Sequence, residues 1–303
     1  MEITRTLRRG TTKVRRTIGS QLLGDLEKVL PSPTPTGENL YHYTTQAGLL
    51  GIAKDRVLWM TDIRHLNDST EFDYAIGFVR GKIDLKLREE KDSHRRAFLS
   101  SLNDQLIRFE AYTRYVVCFS RDGDSLSQWR AYTDNGVGFA VAVKDKVLES
   151  MADDQFHHLI KCVYDPDEQN EIINKLFSVI ESKFEPDWIP PENNGLFFFL
   201  LFQVAGAMKH PSFKDEQEWR VVSIDARPPD ALKFRPSKSR LVPYTELDLE
   251  AQDGYLGVSE IVVGPNPHML LSIESTRQFA KANKLGKHLG DKIIPSKVPY
   301  RSW

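Results

Sequence analysis

Short apolar or alternating runs, separated by turn-forming residues, set the first reading of the chain. They predict strands at residues 40–44, 57–60, 115–119, 138–143, 159–164, 219–224 and 240–244, with further short ones near Leu232, at 261–263 and at 293–294. Helical spacing fills much of the rest. Thr45 stands where an N-cap belongs, ahead of a helix over 46–54 with Leu49, Leu50 and Ile52 on its apolar side. Ser69 and Thr70 can open a second helix with Glu71 in its first turn, and 82–112 reads as a charged helical region. Residues 126–131 form a helical turn, 167–204 is mainly helical with breaks at Pro186, Pro190 and Pro191, and 269–283 is a helix after the turn at 264–267. Strands and helices do not alternate strictly, so a doubly wound parallel sheet is not expected and an α+β fold is.

The boundaries come from composition. Residues 1–30 carry Arg5, Arg8, Arg9, Lys13, Arg15 and Arg16 and then an amphipathic stretch from Ile18. This arm reads as a solvated helix or as a docking arm for nucleic acid or a partner protein. Prolines at 31, 33 and 35 then forbid regular structure up to Gly37. The expected organisation is a basic arm and linker over 1–37, followed by a single α+β domain over 38–303. The apolar stretch at 196–208 is interrupted by Gln203 and falls short of the roughly 20 residues that span a bilayer. The basic N-terminus lacks the apolar core of a signal peptide, so no membrane partner and a cytoplasmic location are expected. With 41 basic and 42 acidic side chains the net charge of -1 excludes a uniformly basic coat, though not a local patch. Cys118 and Cys162 are two thiols in strand-like contexts, with neither disulfide nor zinc spacing.

Four polar clusters carry the candidate chemistry. In Tyr41-His42-Tyr43-Thr44, strand alternation puts His42 and Thr44 on one face, able to bond a ribose or an amide. A satisfied histidine at a sheet edge is the plain alternative. Asn67-Asp68 with Glu71 reads as a helix cap or, joined by Asp62, as oxygen ligands for a divalent ion. The stretch from Cys118 to Phe139 holds Ser120, Arg121, Gln128 and Arg130 as donors for phosphate or carboxylate. Within it, Trp129 and Tyr132 are three residues apart and can stack on a planar ring or simply brace the hairpin at Gly136 and Gly138. In an extended run Glu216, Glu218 and Arg220 share a face, where the carboxylates could hold ribose hydroxyls or pair with the arginine.

Taken in order, the motifs Leu-Tyr-His-Tyr-Thr, Leu-Asn-Asp-x-x-Glu, Cys-Phe-Ser, Gln-Trp-Arg-Ala-Tyr with Gly-Val-Gly-Phe, Glu-Gln-Glu-Trp-Arg and Val-Gly-Pro-Asn resemble those of bacterial domain-of-unknown-function family 2971, over residues 40–283. A more distant resemblance is to the ADP-ribosyltransferase superfamily. That likeness implies a mixed, mainly antiparallel split sheet with flanking helices and NAD as substrate, with no metal. It implies that His42 bonds the adenosine ribose, with Tyr43 and Thr44 lining the nicotinamide side and Asn67 and Ser120 close by. Trp129 or Tyr132 would stack on nicotinamide, and Arg121 or Arg130, with Gln128, would meet the pyrophosphate. Glu218 would stabilise the oxocarbenium-like state and Glu216 orient a macromolecular acceptor, protein or nucleic acid. Bacterial relatives of this kind act as toxins or antiphage effectors. Two other classes compete: a non-catalytic nucleotide or nucleic-acid sensor, and a magnesium nuclease built on Asp62, Asp68 and Glu71.

Overall fold

The computed structural model describes residues 22–30, 33–66, 71–108, 113–134, 136–184, 195–224, 231–237, 239–251 and 253–300. Its helices are α1 (22–29), α2 (Gln46–Asp55), α3 (Glu71–Glu89), α4 (Ser93–Arg108), α5 (Leu126–Tyr132), α6 (Asp145–Asp154), α7 (Pro166–Ser182), α8 (Gly195–Ala207) and α9 (Met269–Ala282). Its strands are β1 (Asn39–Thr44), β2 (Val57–Asp62), β3 (Tyr115–Ser120), β4 (Phe139–Lys144), β5 (His157–Lys161), β6 (Glu218–Ser223), β7 (Lys233–Pro236), β8 (Leu241–Asp248), β9 (Val258–Val263) and β10 (Ile293–Pro295). No described helix is long and apolar enough to cross a membrane.

The contacts group the chain into two compact units, one made of 1–32, 70–112 and 165–208, the other of 33–69, 113–164 and 209–303. The span expected as one domain over 38–303 is thus shared between them. The first unit is helical. In it α7 starts where Asp165 caps the N–H groups of Asp167 and Glu168, with Pro166 in the first turn, and buries Ile172, Ile173, Leu176, Phe177 and Ile180. Burial of nearly all of α8, Phe197 and every residue from Phe199 to Ala207, explains its mostly apolar sequence.

The second unit holds all ten described strands with α2, α5, α6 and α9. Thr45 caps α2 as expected, its hydroxyl accepting from the Gly48 N–H at 3.0 Å. Strand order is β10-β9-β4-β1-β3-β2-β8-β7, with β6 between β3 and β5. Pairing is antiparallel except for β9 with β10, so the unit is a mixed, mostly antiparallel open sheet with helices.

β3 has three strand neighbours and only two edges. β6 occupies one edge from Val116 to Ser120, while β1 meets the other at Ser120 and β2 meets it at Tyr115 and Val116. The second edge is therefore forked, and the gap falls at Cys118. His42 closes it. Its Nδ1 lies 3.0 Å from the Cys118 carbonyl oxygen, and since a carbonyl only accepts, Nδ1 carries the proton.

The register also sorts the faces. Tyr41 opposes Ser120, which opposes Glu218, so these share one face, and so do Cys118 and Arg220. The alternate residues Leu40, Val117, Phe119, Val141, Trp219 and Val221 turn to the other face and form the main core with Leu58, Met60 and Leu247. Tyr43, Trp129, Ala140 and Val262 make a smaller cluster on the first face.

Only one glycine of the Gly136-Val-Gly138 hairpin has the left-handed backbone expected there, Gly136 at φ 92°. Gly138 answers a close approach instead: a Cβ there would press on the Thr44 carbonyl oxygen and come within 2.7 Å of the Thr133 side chain. Gly138→Ala is expected to cost about 1–3 kcal/mol through this overpacking, read as a lowered thermal midpoint. An unchanged midpoint would remove the close approach as the reason for glycine.

Candidate functional site

The strongest polar constellation lies where β6 begins. The 3-10 helix Pro211–Glu216 ends at Gln217, whose left-handed backbone (φ 44°) turns the chain into the strand. Glu216 is therefore not in an extended run with Glu218, as alternation had suggested. Lys209 joins the two carboxylates nevertheless, its Nζ lying 2.5 Å from Glu216 Oε2 and 2.5 Å from Glu218 Oε2. Arg220, two residues along the strand and only 1% exposed, grips Glu218 from the side: Nε donates to Oε1 and Nη2 to Oε2, each at 2.9 Å. The Cys118 thiol also bonds this carboxylate. The Glu218 N–H donates to the Tyr164 hydroxyl at 2.9 Å, and its carbonyl accepts from the Cys162 N–H at 2.9 Å.

Glu218 is 4% exposed. Burial alone would raise its carboxyl, but Arg220 and Lys209 outweigh that and hold it at about 2, so it is ionised at any working pH. The Cys118 thiol is pushed well up, first by burial and then by the Glu218 charge, which keeps it protonated and makes it a donor rather than a nucleophile. Tyr132, at the end of α5 and partly exposed, has its hydroxyl raised by burial and then by Cys118, Glu216 and Glu218. Its ring packs against the smaller cluster of Tyr43, Trp129, Ala140 and Val262, on the sheet face that carries Glu218. Lys209 brings Glu216 and Glu218 together, and Tyr132 lies on the same side of the sheet. Lys209 and Arg220 complete the group, with Cys118 and Tyr164 beside it.

Other expected residues are spent elsewhere. The His42 ring turns to the core face, 5.9 Å from Phe119, and burial holds its pKa below the usual value. Thr44 shares its parity. Neither reaches the Glu218 face, because β1 meets β3 one residue out of step with them. The Tyr43 hydroxyl donates to the Asp122 carbonyl and accepts from the Ser125 N–H, while its ring packs edge-on against Trp129 at 4.7 Å. Trp129 is 0% exposed, with its indole N–H on Asp124 at 2.9 Å, so it braces the hairpin and cannot stack on a ligand. Gln128 is buried as well. Ser120 donates to the Glu216 carbonyl and accepts from the Asp122 N–H. Arg121 pairs with Glu38 and Asp145 and lies over the Trp219 ring, where it fastens the proline-rich linker rather than a phosphate. Arg130 remains exposed, beside the Tyr300 ring. Asn67, Asp68 and the Glu71 side chain fall outside the described residues. Asp62 is fully buried under Arg64, which binds both its oxygens, so it offers no open ligand position. Among the described residues no cluster of three metal-ligating side chains occurs.

Sequence reasoning missed Lys209. The signal was present: one lysine directly follows an apolar helix, and a buried ammonium needs a carboxylate partner.

A family model described as "Protein of unknown function (DUF2971)" matches residues 128–221. The matched stretch runs from the helix that carries Tyr132 to the strand that carries Glu218 and Arg220. No curated protein and no solved structure matches the chain.

Arg220→Met leaves a buried carboxylate short of its main cation and is expected to cost about 3–5 kcal/mol. The Glu218 contribution to stability is complete above the usual carboxylate value of 4.5 and is lost as pH falls toward about 2. Arg220→Met should therefore flatten the acid limb of the stability profile, measured by urea unfolding between pH 2 and 7. An acid limb identical to that of the parent protein would contradict this electrostatic account.

Proposed function

We propose that the chain cleaves the nicotinamide–ribose bond of NAD, passing ADP-ribose to a macromolecular acceptor or hydrolysing the dinucleotide. The observation that carries this reading is a deeply buried, permanently ionised Glu218 on the same sheet face as the partly exposed Tyr132. Such a carboxylate is preorganised to stabilise positive charge developing on a ribose. Tyr132 supplies a ring for nicotinamide to stack on, and Glu216 orients the acceptor. Nicotinamide departs with the electron pair of the C1′–N bond, and water or an acceptor nucleophile bonds C1′ and gives up a proton. Of the cations expected at the pyrophosphate, exposed Arg130 takes that role and Arg121 does not. His42, Tyr43, Thr44 and Trp129 have no part in it, so this version departs from the superfamily pattern that suggested it. A bacterial toxin or antiphage effector is the context that suits such an activity.

A second reading has an observation of its own. Arg220 and Lys209 already occupy both oxygens of Glu218, which suits a site that binds a nucleotide without turning it over. Incubating the full-length protein with NAD separates the two. Transfer or hydrolysis predicts nicotinamide release, reduced about a hundredfold or more in Glu218→Gln. Glu218→Asp, which keeps the charge, controls for folding and should retain part of the rate. Saturable NAD binding without nicotinamide release would establish the second reading, and release unaffected by Glu218→Gln would remove Glu218 from the chemistry.

A further inference from the structure

At the other wing of the sheet, β2, β8 and β7 present a surface that the NAD site does not use. Trp59 is 42% exposed on β2, and its ring centroid lies 4.7 Å from that of Tyr244 on β8, tilted by 34°. Arg235 of β7 reaches across from the neighbouring strand. Its guanidinium carbon lies 5.8 Å from the Trp59 ring centroid and its Nη2 donates to the Thr61 hydroxyl at 3.2 Å. Register puts all four on one face, since Thr61 opposes Tyr244, Trp59 opposes Glu246 and Arg235 opposes Val242. Thr61 also opposes Val116, two residues from Cys118, so this is the face that carries Glu218.

The charges here are unequal. Glu246 is taken by Lys233 through both oxygens, at 2.6 and 2.7 Å. Asp62 is taken by Arg64 and lies on the opposite face. Arg235 has no carboxylate partner among the described residues, and its Nε is buried without any hydrogen-bond partner. A guanidinium held against an aromatic ring with no carboxylate beside it keeps its charge available to an anion.

An exposed indole backed by a tyrosine, with an uncompensated planar cation beside it, has the two components that single-stranded nucleic acid uses: a ring for a base and a donor fork for a phosphate. We propose that the Trp59–Tyr244–Arg235 surface binds single-stranded nucleic acid, with a base on Trp59 and a phosphate on Arg235. Duplex would fit it poorly, because paired bases do not expose their faces to an indole. The site stands apart from any turnover of NAD.

The test uses the full chain without NAD, titrated against fluorescently labelled single-stranded oligonucleotides, with the matching duplex as a control. Binding to single strands is expected, weakened about tenfold or more by Trp59→Ala and largely restored in Trp59→Phe. Arg235→Ala should weaken binding and lower the slope of log affinity against log salt by about 0.7, the value for one phosphate contact on a single strand. Equal affinity for duplex, or unchanged binding in both alanine variants, would overturn the proposal, as would no binding to any oligonucleotide. Since NAD is absent throughout, a lack of nicotinamide release leaves this result standing, and the converse holds as well.

Discussion

A carboxylate with 4% of its possible exposure can stay charged only if cations meet it at close range, and much of the second unit's local structure serves that need. Arg220 reaches Glu218 because residues two apart on a strand share a face. Lys209 reaches it because the chain leaving α8 is held to β5's extension by the Lys209 N–H on the Val163 carbonyl, at 3.0 Å. The left-handed turn at Gln217 then lets Glu216 approach the same ammonium from outside the strand. The cluster balances two carboxylates against two cations, and this balance is what permits charge at that depth.

The forked edge of β3 is the second constraint. A strand whose edge is shared by two partners leaves a main-chain carbonyl without a strand neighbour, and buried carbonyls need a donor. His42 is that donor. Its lowered pKa follows from burial, with the carbonyl it serves acting against the shift, so the neutral ring is the form that closes the gap. The residue that a motif would have made a ligand contact is engaged in closing the forked edge of β3.

What could be read in advance followed from local rules. The Thr45 cap and α2, the apolar strands β3 and β6, the pairing of Glu218 with Arg220 and the antiparallel α+β character all depend on neighbours within a few residues or on strand period. What could not be read depended on who meets whom. Trp129 and Tyr132 sit on one helical face in sequence, yet the smaller aromatic cluster covers Trp129 completely and leaves Tyr132 partly open. Arg121 looked free to hold a phosphate until Glu38 and Asp145, distant in sequence, arrived beside it. His42 and Glu218 are separated by a single step of register, and register is a property of pairs of strands rather than of either one. The division of 38–303 between two units arises because α3, α4, α7 and α8 are inserted between strands of the sheet-bearing unit.

The central claim is that ligand chemistry takes place on the Glu218 face and not at the histidine. A crystal structure of the chain soaked with NAD addresses it directly. The account predicts nicotinamide against the Tyr132 ring, with its ribose hydroxyls toward Glu218, and an undisturbed bond from His42 to the Cys118 carbonyl. Dinucleotide lodged in the fork with His42 turned onto its ribose would contradict it.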